Sequence, residues 1–123
     1  MILADTSIWV DHLARGDEMM ASLLDAEVVL MHPFIMGEIA LGNLPRRAET
    51  LSNLSKLPKA ATVDFAEVIS FVERNNIFGT GIGYVDAHLL VATTMTSDVR
   101  LWTRDKRLRT VAEKLAISAA TLD

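Results

Sequence analysis

The chain opens Met1-Ile2-Leu3-Ala4-Asp5-Thr6-Ser7-Ile8-Trp9-Val10-Asp11-His12-Leu13. Ile2, Leu3 and Ala4 form an apolar run with no polar alternation, the pattern of a strand covered on both faces in a parallel sheet. Asp5 ends the run. Thr6 or Ser7 is then placed to cap a helix, because a hydroxyl oxygen accepts from backbone N–H groups that the first turn leaves free. The stretch therefore reads strand, acid, cap, helix. Open α/β sheets bind ligands outside the carboxyl ends of their strands. Asp5 stands at such an end, and the question is which other acids join it.

The following segments repeat the alternation. Ile8 to Ala14 reads as a short helix closed near Gly16, and Asp17 caps a second helical run through Leu24. Val28 to Met31 is a second apolar strand. Pro33 opens a helix carrying Phe34, Ile35, Glu38, Ile39 and Leu41 that ends near Gly42. Pro45 is expected to open another, with Leu51, Leu54 and Leu57 in register and Pro58 as its stop. Ala61 to Val63 reads as a short strand. Asp64 caps an amphipathic helix with Phe65, Val68, Ile69 and Val72 on its inner face. Asn75 to Gly83 is a loop. Tyr84 to Met95 is helical, Leu101 and Trp102 a strand, Asp105 to Leu115 a basic helix, and Ile117 to Ala119 an edge strand. Strands alternating with helices imply a parallel sheet with helices on both faces.

A chain of 123 residues suits a single domain spanning 1–123. Half its residues are hydrophobic, which points to a buried interface. It has no cysteine, hence neither a disulfide framework nor a thiolate metal site, in keeping with a cytoplasmic location. The first residues lack the basic region of a signal peptide, and no apolar run reaches membrane-spanning length. The formal charge of −4 hides an uneven distribution. Arg100, Arg104, Lys106, Arg107 and Arg109 crowd one segment. Once Asp5, Glu38, Asp86 and Asp105 are set aside, the remaining acids only balance the bases, so net charge does not exclude a polyanion as partner.

Those four acids are the candidate site. Asp5 ends the first strand, Asp105 follows the Leu101–Trp102 strand, and Asp86 lies in the first turn of the Tyr84 helix. Glu38 sits among Met36, Gly37, Ile39 and Ala40, where an acid is expected to be buried and to need a partner. Two carboxylates about 5 Å apart repel by roughly 3 kcal/mol at an effective dielectric near 20. Several such pairs would rival the whole stability of a domain, about 5–15 kcal/mol. A cluster of this kind must bind cations or hold protons. Oxygen donors without cysteine or paired histidines select magnesium or manganese over zinc, and such ions serve phosphodiester hydrolysis.

Each acid also has an ordinary explanation: Asp5 as a turn residue, Asp86 and Asp105 as first-turn acids favoured by the helix dipole, Glu38 as half of a salt bridge. The argument rests on the set. The glycines at 79, 81 and 83 lack the Gly-Lys-Ser/Thr of a nucleotide loop. Ser7 lacks a Gly-x-Ser-x-Gly context. An aspartyl phosphatase would want a second Asp where Ser7 stands. His12, His32 and His88 show no metal-ligand spacing and suit packing roles. Arg104, Lys106 and Arg107, beside Asp105, are candidates for RNA phosphate contacts.

Met1-Ile-Leu-Ala-Asp-Thr-Ser-Ile-Trp9, Gly37-Glu-Ile39, Tyr84-Val-Asp-Ala-His-Leu-Leu-Val-Ala-Thr93 and Leu101-Trp-Thr-Arg-Asp-Lys-Arg-Leu108 together resemble a PIN domain. More narrowly, they resemble the VapC-type toxins of bacterial toxin–antitoxin pairs. The four motifs come in the family's order and cover nearly the whole chain. The resemblance implies a three-layer α/β/α fold with a central parallel sheet. It also implies an endoribonuclease dependent on Mg2+, with Mn2+ substituting. Asp5, Glu38, Asp86 and Asp105 fall on the family's acidic quartet, with Asp5 and Asp86 as expected metal ligands. Thr6 and Thr103 are the supporting hydroxyls, Thr103 falling on a position that supports the last acid. Gly37 departs from a common serine, and His88 from a usual apolar residue. The implied partners are an RNA substrate, a small antitoxin whose tail supplies basic groups to the site, and a second copy of the chain or a toxin–antitoxin hetero-oligomer. The competing reading keeps the fold without catalysis, as an RNA- or protein-binding module.

Overall fold

The computed structural model describes residues 1–119 and 122. Three parallel strands lie at its centre: β1 (Ile2–Ala4), β2 (Val29–Leu30) and β3 (Arg100–Trp102), in the order β2-β1-β3. Leu3 stands opposite Leu30 on one side and Leu101 on the other. Leu3, Ala4, Leu101 and Trp102 are all buried, as an apolar run without alternation requires.

The sheet is widened at both edges by single bridges. Leu101 N donates to Ile117 O at 2.8 Å and Ala119 N to Leu101 O at 2.9 Å, so Ile117 to Ala119 forms one edge as expected. At the other edge Met31 N donates to Pro58 O and Ala60 N to Met31 O, both at 2.8 Å. The extra edge therefore lies at Pro58–Ala60, not at Ala61–Val63. Pro58 has no N–H to contribute, and an edge is where a proline can join a ladder through its carbonyl alone.

Seven helices surround the strands among the described residues: α1 (Thr6–Arg15), α2 (Glu18–Asp25), α3 (Pro33–Ala40), α4 (Arg47–Ser55), α5 (Phe65–Arg74), α6 (Tyr84–Thr94) and α7 (Lys106–Lys114). The chain crosses from β1 to β2 in one direction and returns past β1 to β3 in the other. Right-handed crossovers in opposite directions cover opposite faces of a sheet. The result is an α/β architecture of PIN type. α6 is its inner helix, with Ala87 through Thr93 all buried, and it packs on α5 and β3.

Caps account for most helix starts. Asp17, His32, Asp64 and Asp105 each accept from a backbone N–H of the first turn of α2, α3, α5 and α7. At α1 the cap is Asp5 itself, accepting from Ile8 N, rather than Thr6 or Ser7. Those hydroxyls lie inside the first turn and donate to carboxylates, Thr6 to Glu38 and Ser7 to Asp5 itself. α4 starts at Arg47 rather than Pro45, after Arg46 in the left-handed region at φ 51°. Arg47 turns back to the carbonyls of Ala40 and Gly42, satisfying the end of α3.

Candidate active site

β1 leads to β2 on one side while β3 lies on the other, so the chain diverges at the carboxyl ends of β1 and β3. That switch point leaves a crevice, and Asp5, Thr103 and Asp105 stand on it. Asp5 continues the ladder, its N–H reaching Trp102 O at 3.0 Å. The residue is 5% exposed, and its carboxylate is held by hydroxyls on both sides. Ser7 Oγ donates to Oδ1, and Thr103 Oγ1 donates to Oδ2. Burial raises the Asp5 pKa above 3.8, and the bonds from Ser7, Thr103 and Ile8 partly offset it.

Thr103 does double service. Buried itself, it donates to Asp5 and accepts from Asp105 N at 3.0 Å. One hydroxyl thus ties the acid after β1 to the acid after β3. Thr103→Val keeps the shape and removes both bonds. We expect a loss of about 1.5–3 kcal/mol, read as a lower urea midpoint, with Thr103→Ser recovering most of it.

Asp86 lies in the first turn of α6 and is half-buried. Its Oδ2 accepts from Gly83 N at 3.2 Å. Its pKa is raised, first by burial, then by the charges of Asp5, Asp105 and Glu38, with the Gly83 bond opposing. The charges of the other three sequence-selected acids therefore reach Asp86. Their side chains are not drawn into one cage: among the described residues no three His, Cys, Asp or Glu side chains stand close enough together to hold a metal ion.

Glu38 corrects one expectation. It is exposed, not buried. α3 leans over the rim, and Thr6 Oγ1 donates to Glu38 Oε1 at 2.6 Å, so the acid reaches the crevice from its mouth. Its apolar neighbours face the core; Ile35 and Ile39 are buried while Glu38 is not. Asp105 is likewise exposed, capping α7 through Leu108 N at 3.1 Å.

Arg104 corrects another. It was a candidate for gripping phosphate, yet its guanidinium is engaged inside the protein. Nη1 meets Asp11 Oδ2 at 2.7 Å, Nη2 meets Asp17 Oδ2 at 2.6 Å, and the group lies 5.5 Å from the centre of the Trp102 ring. Its backbone N–H donates to Ser7 Oγ at 3.3 Å. Lys106 and Arg107 are exposed on the rim, as a phosphate contact requires. Ser7, Asp11 and Asp17 were missed as contributors. Only the closeness of Ser7 to Asp5 hinted at its part; the pairing of Asp11 and Asp17 with Arg104 spans about ninety residues and leaves no local trace.

The fold and this rim define a PIN-like α/β protein with an acidic crevice at its switch point. No protein-family model matches the chain. Over 120 residues it is 38% identical to Ribonuclease VapC32 of Mycobacterium tuberculosis, in strains CDC 1551 / Oshkosh and ATCC 25618 / H37Rv alike, covering 98% of this chain and 97% of the relative. The chain belongs to the VapC family of PIN-domain toxins. Among the described residues no helix is long and apolar enough to cross a membrane.

Proposed function

We propose that this protein is the toxin of a toxin–antitoxin pair, an endoribonuclease hydrolysing RNA phosphodiester bonds with Mg2+ or Mn2+. The observation that carries the reading is the coupling of Asp86 to Asp5, Asp105 and Glu38 at the switch point. An Asp86 that feels three other carboxylates at this rim suits a hard dication, and the donors are all oxygen. Asp5 and Asp86 are the proposed ligands, with Glu38 and Asp105 completing the site. The ion supplies a more acidic water and offsets the charge that builds on the phosphate. The chain does the rest. Ser7 and Thr103 fix both oxygens of Asp5, Thr6 aims Glu38, and Thr103 places Asp105. Lys106 and Arg107 offer cationic partners to flanking phosphates. The name of the relative, a ribonuclease, supports the same activity.

The test is incubation of the purified chain with single-stranded RNA in Mg2+ or Mn2+, and again with EDTA. Cleavage is expected with either metal and none with EDTA. Binding without cleavage in all three would return the non-catalytic module.

The antitoxin is proposed to seat in the apolar groove between α1 and the α3–α4 connection. This cavity of about 230 Å3 is lined by Val10, Leu13, Ile39 and Leu44 and bordered by Glu38. Val10 is 55% exposed and Leu41 89% exposed, open apolar surface beside the groove. A segment lying there brings a basic side chain within reach of the carboxylates. Val10→Asp is expected to weaken antitoxin binding at least about tenfold, since burying an unpaired carboxylate opposes docking. Isothermal titration reads the loss, and circular dichroism checks that the fold is unchanged.

A further inference from the structure

Three basic side chains crowd the α7 flank of the crevice, and each is held differently. The Arg104 guanidinium is engaged by Asp11 and Asp17. Lys106 is exposed, and among the described residues neither a hydrogen bond nor an ion pair fixes its ammonium. Arg107 is exposed too and pairs with no carboxylate among the described residues, yet it has a seat. Its side chain lies on Gly81, in the loop before α6. Cδ, Nη1 and Nε stand 3.1, 3.2 and 3.3 Å from where a Cβ of residue 81 would be. Such near-equal distances lay the planar group flat over the glycine, with its N–H edges directed outward.

Two features make this a place for glycine. The backbone at Gly81 has φ 85°, in a region that side chains rarely adopt. A Cβ at these distances also forces the arginine to move, and a longer side chain forces it further. Gly79, in the same loop, separates the two effects: its φ is 74°, but a Cβ there would meet nothing within 4 Å. The loop is anchored. Ile77 is buried, its N–H donates to Val72 O at 3.0 Å, and Thr80 Oγ1 donates to Ile77 O at 2.7 Å. The seat also adjoins the site. Gly81 lies two residues, at most about 7 Å of chain, before Gly83, whose N–H holds Asp86. Arg107 lies two residues after Asp105. The guanidinium therefore stands between the segments that carry Asp86 and Asp105, paired with neither.

We propose that Gly81 is a positioning residue, which seats the Arg107 guanidinium in advance for an RNA phosphate flanking the cleaved bond. This rests on the ribonuclease reading and adds how the chain holds its substrate. A planar guanidinium grips a phosphate through two parallel N–H bonds. An arginine that moves freely in solvent loses rotamer freedom on doing so, at about 2- to 12-fold in affinity. One already resting on the loop has given up that freedom on folding. Lys106, without a seat, gives it up on binding. Arg107 is thus the stronger of two neighbouring cations.

The test measures binding of the full chain to a labelled single-stranded RNA, in EDTA to prevent cleavage. Asparagine accepts positive φ better than most side chains, so Gly81→Asn adds bulk under the arginine with little backbone strain, and Gly79→Asn is its control. Gly81→Asn is expected to weaken binding about 3- to 10-fold, and Gly79→Asn not at all. Arg107→Ala weakens it about 10-fold and lowers the salt slope by about one, and Lys106→Ala weakens it less. In the Arg107→Ala background Gly81→Asn costs nothing further, a result that general loosening of the loop would not give. Arg107→Lys leaves the glycine untouched, so it reads the seat even where Gly81→Asn fails to fold; it loses most of what alanine loses. The seat is overturned if Gly81→Asn binds as the unaltered chain does, if Gly79→Asn weakens binding equally, if Gly81→Asn costs as much without the arginine as with it, if Lys106→Ala costs as much as Arg107→Ala, or if lysine fully replaces Arg107. A failed ribonuclease reading shows separately, as absent cleavage in Mg2+ with the binding differences intact.

Discussion

Replacing Asp86 by asparagine is expected to abolish metal-dependent RNA cleavage, by about 10³-fold or more, and yet to raise the melting temperature of the metal-free protein at pH 7. Both effects have one cause. The Asp86 carboxylate is half-buried and faces Asp5, Asp105 and Glu38, which push its pKa above 3.8. The folded protein therefore holds this proton more tightly than the unfolded chain does. The stability it contributes is full below pH 3.8 and is lost as pH rises through the higher folded value. At pH 7 the ionised group opposes folding. Asparagine resembles the protonated form at every pH, so it removes that opposition together with the proposed metal ligand. A 10³-fold loss corresponds to about 4 kcal/mol of transition-state stabilisation, within what a dication supplies.

The same logic predicts that Mg2+ raises the melting temperature of the unaltered chain at pH 7 and raises it little in Asp86→Asn. Asp5→Asn should lose cleavage equally but gain less stability. Its two oxygens accept from Ser7, Thr103 and Ile8, and an amide NH2 cannot accept where one oxygen did. Scanning fluorimetry between pH 5 and 8, with and without Mg2+, reads the stabilities, and a labelled RNA reads cleavage. Full activity in both variants would falsify the assignment of these acids.

The second large effect is expected at Arg104. Its guanidinium joins Asp11, midway along α1, and Asp17, the cap of α2, to the Thr103–Asp105 loop. Both ion pairs are partly screened by solvent, so Arg104→Gln is expected to cost about 1–2 kcal/mol of stability. Cleavage should fall further, about 10- to 100-fold, because the released loop no longer holds Thr103 and Asp105 against Asp5. Arg104→Lys should recover little, since an ammonium cannot serve two carboxylates with a fixed fork. Urea unfolding and kcat against KM separate the two effects: a positioning role lowers kcat, and a phosphate contact raises KM. A rise in KM alone, with stability unchanged, would restore Arg104 to the RNA surface.

The caps and strands were legible because their causes are local. An uninterrupted Ile-Leu-Ala run is covered on both faces wherever it goes, and Asp17, Asp64 and Asp105 cap the turns that directly follow them. The misplacements were local choices between near equals. All three of Asp5, Thr6 and Ser7 can accept as a cap; Asp5 takes the place, while Thr6 donates to Glu38 and Ser7 donates to Asp5 and accepts from Arg104 N. The edge at Pro58–Ala60 depended on where Met31 came to rest.

From the order of residues alone came the parallel α/β plan and the choice of Asp5, Glu38, Asp86 and Asp105. Periodicity, turn chemistry and the spacing of acids at element ends act over a few residues and survive in one dimension. Tertiary structure alone decided that Glu38 stays in solvent, that Arg104 is engaged by Asp11 and Asp17, and that His88 gathers Phe34 and Tyr84 into one surface. Those outcomes depend on the angle at which α3 leans over the rim and on which helices meet α6. Such geometry is set by the packing of the whole core, and no short stretch of sequence contains it.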